Sequence, residues 1–529
     1  MNRKNLTSAV IAGLAGAAGI AATAQAVNLN PDGLGQVLIY PYYTTRAENT
    51  TLLSVVNTTE NAKAVKVRFM EGKNTREVLD FNLYLSAFDV WAAAIVDGRA
   101  ADPNCEVDNG FDFGNPDGGQ CGVPHLVVND ATCTVPYLFE NASTGPGLQT
   151  FLPFRLDDGG GTDIDRTAEG HFEMIEMGTM VRSSAEAATH GSDGLPADCQ
   201  QLVDAWTEAG SGPNGAPAGY WIQDPTQDIR PPSGGLFGGA AIINVGAGYM
   251  FSYDAEAINN FQSDDPVTLL NTLHAVPGTV EPGLNSGDVT DATIFLDDGT
   301  TLPSSGLTRG VDAVSYVFMH DQLLNEYNIE PSINGQTEWV ITFPTKHFYV
   351  FPEDAGTGVP IAPFTEEWDE TTGTACEPVL LDNVYDREEQ TAVDPTNPGD
   401  GPVVSPRPPE IPDEFVNFEL CYETNVINFV ASGSSGSEST PILGALNSTT
   451  FELPEGFQSG WAILELDEYA TPSGLDNRTP LGGAAPGNLE GLPTVGFQAS
   501  KYENKNAQPG LQAFYGGIYN HKGTRRASS

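Results

Sequence analysis

Apolar and polar positions alternate through residues 35–96 in five consecutive runs, and this alternation predicts β-strands. The runs cover 37–43, 52–57, 63–71, 78–85 and 90–96. In the third, Val65, Val67 and Phe69 share one face, with Lys66 and Arg68 on the other. In the fourth, Leu79, Phe81, Leu83 and Leu85 oppose Asp80, Asn82 and Tyr84. Successive side chains leave a strand on opposite sides, so each run offers one face to a core and one to water. Turn-rich links at 44–50, 58–61 and 72–75 separate the runs at sandwich-like spacing. The expected fold is mainly β: an immunoglobulin-like β-sandwich over residues 27–155, then a larger β-rich region with short helices over 156–529.

The same reading extends along the chain. Residues 97–134 carry three cysteines, many Asp, Asn and Gly residues and little periodicity, which predicts a disulfide-stapled insertion outside the core. Further strands are expected at 171–177, 240–245, 249–253, 339–343, 348–351, 426–430, 461–466, 495–502 and 511–519. A helix is expected at 198–209, where Leu202, Ala205 and Trp206 form a stripe and Gly210 follows. Asp254 reads as the cap of a short helix through Phe261, and 316–327 reads as helical. Asp298-Gly299 marks a hairpin over 295–302. Seven prolines in 394–413 exclude regular structure there, so this segment is an extended excursion.

Charge narrows the choice of partner. The chain has 70 acidic and 23 basic residues, a formal charge of -47, and no lysine between Lys73 and Lys346. Such a surface repels nucleic acid phosphates and anionic lipid. Residues 1–26 read as a signal peptide: Arg3 and Lys4 supply the basic start, 9–22 the apolar stretch and Ala24-Gln25-Ala26 the cleavage site. No later stretch has the roughly 18 apolar residues of a membrane helix. The expected location is therefore outside the cytoplasm: extracellular or at the cell surface, with the periplasm as the other exported compartment. Six cysteines suit an oxidising compartment. Cys376 and Cys421 stand apart from Cys105, Cys121, Cys133 and Cys199 and are expected to pair with each other; the connectivity of the other four stays open.

Motifs that would name a reaction are missing. Gly246-x-Gly248 follows an apolar strand, but Phe251 holds the third glycine position of a dinucleotide fingerprint and a strand follows, so a hairpin is the better reading. The seven histidines lie too far apart in sequence for a local metal pair. The acidic loops 108–117 and 157–165 offer several oxygens to calcium, yet neither completes a motif, so no cofactor is assigned. For glycoside cleavage, Glu326 and Glu338 are the first carboxylates to inspect, and Trp221 and Trp368 the indoles to stack on sugar rings. An outer-membrane barrel is disfavoured by the cysteine-bearing loops, the proline excursion and the basic C-terminus His521-Lys522-Gly523-Thr524-Arg525-Arg526.

Residues 169–178, 339–346 and Tyr515-Gly516-Gly517 resemble segments of a group of exported, function-unassigned β-rich proteins of Gram-negative bacteria. The resemblance implies export and a shared fold, and it carries no active site. The expected function is that of a non-catalytic exported protein acting at the cell surface or in the extracellular matrix, by adhesion or assembly. Its partners would be other surface or matrix proteins, polysaccharide, or further copies of itself. The alternative is a secreted carbohydrate-active protein, either a binding module or a glycoside hydrolase.

Overall fold

The computed structural model describes residues 26–98, 123–136, 138, 147–152, 156–210, 217–263, 273–296, 298–356, 358–391, 418–434, 436–471, 474–483 and 487–528. The leader, the loop 108–117, Cys105, Cys121 and the proline-rich 394–413 lie outside the described residues.

Four large sheets dominate, and the fold is mainly β. An eight-stranded sheet runs in the order Asn28–Leu29, Glu256–Asn259, Val37–Thr44, Glu169–Met180, Lys63–Glu71, Glu77–Leu85 and Cys133–Val135, with Ile229–Arg230 also beside Glu169–Met180. A six-stranded sheet runs Tyr249–Asp254, Leu236–Asn244, Thr50–Asn57, Val90–Asp97, Pro124–Val128 and Gly147–Thr150. All pairings within these two sheets are antiparallel. They face each other across one core. Tyr40, Val67, Phe69, Phe172 and Met174 come from the first sheet, and Leu53, Val55, Trp91, Ile95 and Ile242 from the second. Strands at 37–44, 50–57, 63–71, 77–85 and 90–97 match the expected runs closely, but the face expected to meet water is covered in two of them: 37–44 is buried throughout, and in 63–71 Lys63 and Lys66 lie inside.

The remaining two large sheets have five strands each. One is ordered Phe418–Leu420, Glu377–Asp386, Ser459–Glu465, Gln322–Asn328 and Lys522–Thr524. The other is ordered Ser448–Glu452, Thr424–Val430, Gln336–Thr342, Val495–Gln508 and Leu511–Asn520, with the first two parallel. Leu323, Tyr327, Trp339, Ile341, Ile427, Phe429, Ala462 and Leu464 fill the space between them. The back of the second sheet, through Val340, Val426, Phe497 and Ala499, closes onto the first core. There Tyr253 stacks on Phe497 with centroids 5.1 Å apart, and Thr342 donates to the Pro41 carbonyl at 2.7 Å. The two halves therefore share buried surface.

Several expectations need correcting. Strand pairing does not break at residue 155, since Glu169–Met180 and the strands from Leu236 to Asn259 are built into the first two sheets. Segment 97–134 is not wholly an insertion: Pro124–Val128 and Cys133–Val135 are sheet strands, with Leu126 and Val128 buried. Glu256–Asn259 is a strand where a helix was expected, because Ala257 and Ile258 pair with Val37–Thr44 at the centre of a sheet and tertiary pairing outweighs their helix propensity. The helix expected at 316–327 lies earlier, at Gly310–Val317, and Gln322–Asn328 is a strand with Leu323 and Tyr327 inward. His347–Val350 is a short helix instead of a strand, and four apolar residues alone do not separate the two.

Disulfides tie separate elements. Cys133, on a strand, bonds to Cys199 at the start of helix Cys199–Asp204, which Asp198 caps by accepting from the Gln201 amide at 3.1 Å. Cys376 bonds to Cys421. No helix among the described residues is long and apolar enough to cross a membrane.

Candidate interaction surface

The outer face of the six-stranded sheet is apolar, although its inner face already fills the core. Outward positions on Thr50–Asn57 are Thr50, Leu52, Ser54 and Val56; on Val90–Asp97 they are Val90, Ala92, Ala94 and Val96; on Leu236–Asn244 they are Phe237, Gly239, Ala241 and Ile243. None of these twelve is charged. Register aligns them in rows. Ala241, Leu52, Ala94 and Val127 form one row, Gly239, Ser54 and Ala92 the next, and Phe237, Val56 and Val90 a third. At the opposite end Ile243 sits between Met250 and Thr50. Alanine, glycine and serine thus surround Leu52 in the middle and larger side chains stand at the ends, leaving a shallow depression of about 640 Å³ lined by Leu52, Ser54, Ala92, Ala94 and Ala241, with Asp254 on one flank and Asp130, which accepts from the Ala92 amide at 3.2 Å, on the other. Leu52 is 41% exposed, Phe237 42%, Val90 53% and Met250 59%, a grouping unusual for a surface that none of the described residues covers.

The rest of the electrostatics runs the other way. Scarce cations are spent inside. Arg166 grips Glu71 through Nε at 2.7 Å and Nη2 at 2.9 Å, and Asp158 through Nη1 at 2.6 Å and Nη2 at 2.8 Å. Burial alone would raise the Asp158 carboxyl, but the Arg166 contacts bring it down to about 2. Lys63 pairs with Glu176 at 2.7 Å with both side chains buried, Arg68 binds Glu77 and Glu173, and Arg478 binds Glu377. Lys66 pairs with Asp80, and buried Lys346 donates to the Ala375 carbonyl at 2.6 Å. With so many positive groups turned inward, the exterior is dominated by carboxylates. The apolar sheet face, with Asp130 and Asp254 only at its flanks, is an exception. Three of the four carboxylates of 157–165 are engaged: Asp158 by Arg166, Asp165 by Arg46 at 2.8 Å, and Asp163 as a cap accepting from the Asp165 amide, while Asp157 is exposed.

Glu326 and Glu338 are not brought together. Glu338 is fully buried on the back of its sheet and accepts from Thr440 Oγ1 at 2.8 Å and from the amides of Ile442 at 2.5 Å and Leu443 at 3.0 Å. Burial pushes it up to about 7 despite those donors. Glu326 is exposed on the outside of the other five-stranded sheet. Trp221 and Trp368 are buried, with indole N–H groups given to the Gln227 and Asp158 carbonyls. The indole that does face outward is Trp461, 39% exposed and stacked on Tyr385 at 4.6 Å and 14°. Glu326 lies across from it on the next strand. Gln322 and Asn383 both donate to Glu465 nearby, at 2.8 and 3.1 Å.

The histidines serve the core. His125, His274, His320 and His521 each hydrogen-bond a backbone carbonyl. His171 and His347 lie near each other inside, and His347 Nδ1 is 3.8 Å from Glu423. Cys376, Glu419 and Cys421 converge, but the two sulfurs are bonded to each other and are poor metal ligands.

Sequence reasoning missed both the apolar face and Trp461. A signal for the face exists: Leu52–Val56, Val90–Val96 and Phe237–Ile243 avoid charge at every position, where a half-exposed strand alternates. Trp461 sits in an alternating apolar run, which reads as core.

Comparison with known proteins adds no constraint: no family model, curated protein or solved structure matches the chain.

Proposed function

We propose that this is a non-catalytic exported protein that acts by surface contact, in adhesion or assembly, at the cell surface or in the extracellular matrix. The observation that carries the reading is the apolar outer face of three neighbouring strands of the six-stranded sheet, with carboxylates only at its flanks (Asp130 and Asp254), on an otherwise anionic molecule. Water-exposed apolar area of this kind is a standing free-energy cost unless something covers it. The two disulfides fit an oxidising compartment. Scattering of the inspected carboxylates supports a contact role over hydrolysis. The test is binding of purified protein to cell envelopes and matrix of the producing organism. Phe237→Glu should weaken it at least tenfold with folding intact. New reducing ends from a polysaccharide panel, abolished by a single carboxylate substitution, would replace this reading with hydrolysis.

A second reading, a carbohydrate-binding module, is favoured by Trp461 and Tyr385. An exposed aromatic plane beside Gln322, Asn383, Glu326 and Glu465 provides a stacking surface and hydrogen-bonding groups suited to a pyranose ring. Affinity electrophoresis in neutral polysaccharides tests it, with Trp461→Ala abolishing any retardation.

A further inference from the structure

We infer that the partner of the apolar sheet face is a second copy of this chain, packed sheet on sheet about a two-fold axis; the inference rests on the contact reading above. Electrostatics selects the orientation. Two molecules of charge -47 repel wherever acidic surfaces meet, and here the outward positions of three neighbouring strands carry no charge, with Asp130 and Asp254 confined to opposite flanks of the depression. Size agrees. Five strands about 4.8 Å apart and about 26 Å long present roughly 600 Å² in plan, close to the ~800 Å² that each partner of a standard interface buries once surface relief is counted. Shape agrees as well. The central rows are Gly239, Ser54 and Ala92, then Ala241, Leu52 and Ala94, and the ends carry Phe237 and Met250, so each copy has a shallow trough broken by Leu52 and ridges at its ends. Opposed sheets in sandwiches interdigitate in this way at about 10 Å.

Other occupants fit less well. An anionic membrane is repelled by the net charge, and a centre in which Leu52 alone stands among alanine, glycine and serine has little to insert into lipid. An anionic ligand would find no counter-charge on this face, and a cationic one only Asp130 and Asp254 at its opposite flanks.

Sedimentation velocity of the mature protein between about 1 and 200 μM tests the inference, in 0.1 M and 1 M sodium chloride. The expected result is a monomer–dimer equilibrium that tightens at least tenfold in high salt, because screening removes like-charge repulsion while apolar burial remains. Ala92→Glu should abolish the dimer and leave circular dichroism and melting temperature unchanged, since Ala92 is exposed. Mixing Ala92→Glu with Ala92→Lys should restore a mixed dimer, which only a face that meets itself permits. A monomer at every concentration and salt, or a dimer indifferent to Ala92→Glu, overturns the inference. If that monomer still binds envelopes and loses binding with Phe237→Glu, the contact reading stands and the second copy alone is rejected.

Discussion

The buried Glu338 carboxylate accepts the backbone amide of Leu443 at 3.0 Å, 105 residues later in the chain. Together with Thr440 Oγ1 and the Ile442 amide, this contact fastens the loop before Ser448–Glu452 onto the back of strand Gln336–Thr342. Truncation would leave three buried donors unpaired. Glu338→Ala is expected to cost about 2–4 kcal/mol in urea unfolding, while Glu326→Gln, on an exposed side chain, should stay within about 0.5 kcal/mol. Equal effects of the two would refute the assignment.

Arg166 is the hub of a buried network that includes Glu71 and Asp158. Removing the guanidinium strands two buried carboxylates, so Arg166→Met is expected to destabilise by about 3–5 kcal/mol. Loss within a few tenths, measured in the same urea titration, would mean that water reaches the site.

Stability should depend on pH with opposite signs at two positions. Burial lowers His171 to about 3, so its neutral state stabilises the fold above the unfolded value of 6.5, and that contribution is lost as pH falls from there toward 3. Burial raises Glu338 to about 7, so its contribution is complete below the ordinary value of 4.5 and is lost as pH rises through 7. Relative to His171→Gln, the wild type should lose about 1.4 kcal/mol per pH unit on acidification below 6.5. Relative to Glu338→Gln, it should gain about as much per unit between pH 7 and 4.5. Parallel stability curves for wild type and variant would remove that residue from the account.

The disulfides close loops with sequence separations of 66 and 45. Each is expected to contribute about 4 kcal/mol by restricting the unfolded chain. Reduction under native conditions should lower the melting temperature by many degrees, and an unchanged melt would contradict their structural role.

Trp461 is partly exposed and stacks on Tyr385 at the surface. Trp461→Ala should cost less than about 1.5 kcal/mol, against about 3–5 for buried Trp339→Ala. If the two indoles prove equally costly, the outer face of that sheet is covered in solution.

The strands between Val37 and Asp97 were legible from alternation and turn spacing, but the sequence did not show that Val37–Thr44 and Lys63–Glu71 are buried on both faces, with Lys63 and Lys66 paired inside. Composition was equally direct: an acidic chain with few cations and an even number of cysteines constrains its partners and compartment wherever the strands go. The sequence alone also located the hairpin at Asp298-Gly299 and the turn at Gly248, where φ is +75°. Gly248 needs no tertiary context, because a left-handed turn residue is a local requirement.

Other features depended on contacts between distant residues. Ala255-Glu256-Ala257-Ile258 has no local reason to be extended, and its conformation is imposed by pairing Ala257 with Leu38. Glu338 looked like a carboxylate available for chemistry until Ile442 and Leu443 folded onto it. Trp461 lies in a run as apolar as that around Trp339, yet one indole faces outward and the other is sealed beneath Phe429. The candidate surface itself is assembled from strands between residues 50 and 254, and only their shared sheet shows that the outward rows are continuous and that their carboxylates lie at the flanks. Alternation along a chain gives each strand two faces, but whether the second meets water, a core or another molecule is fixed by what packs against it.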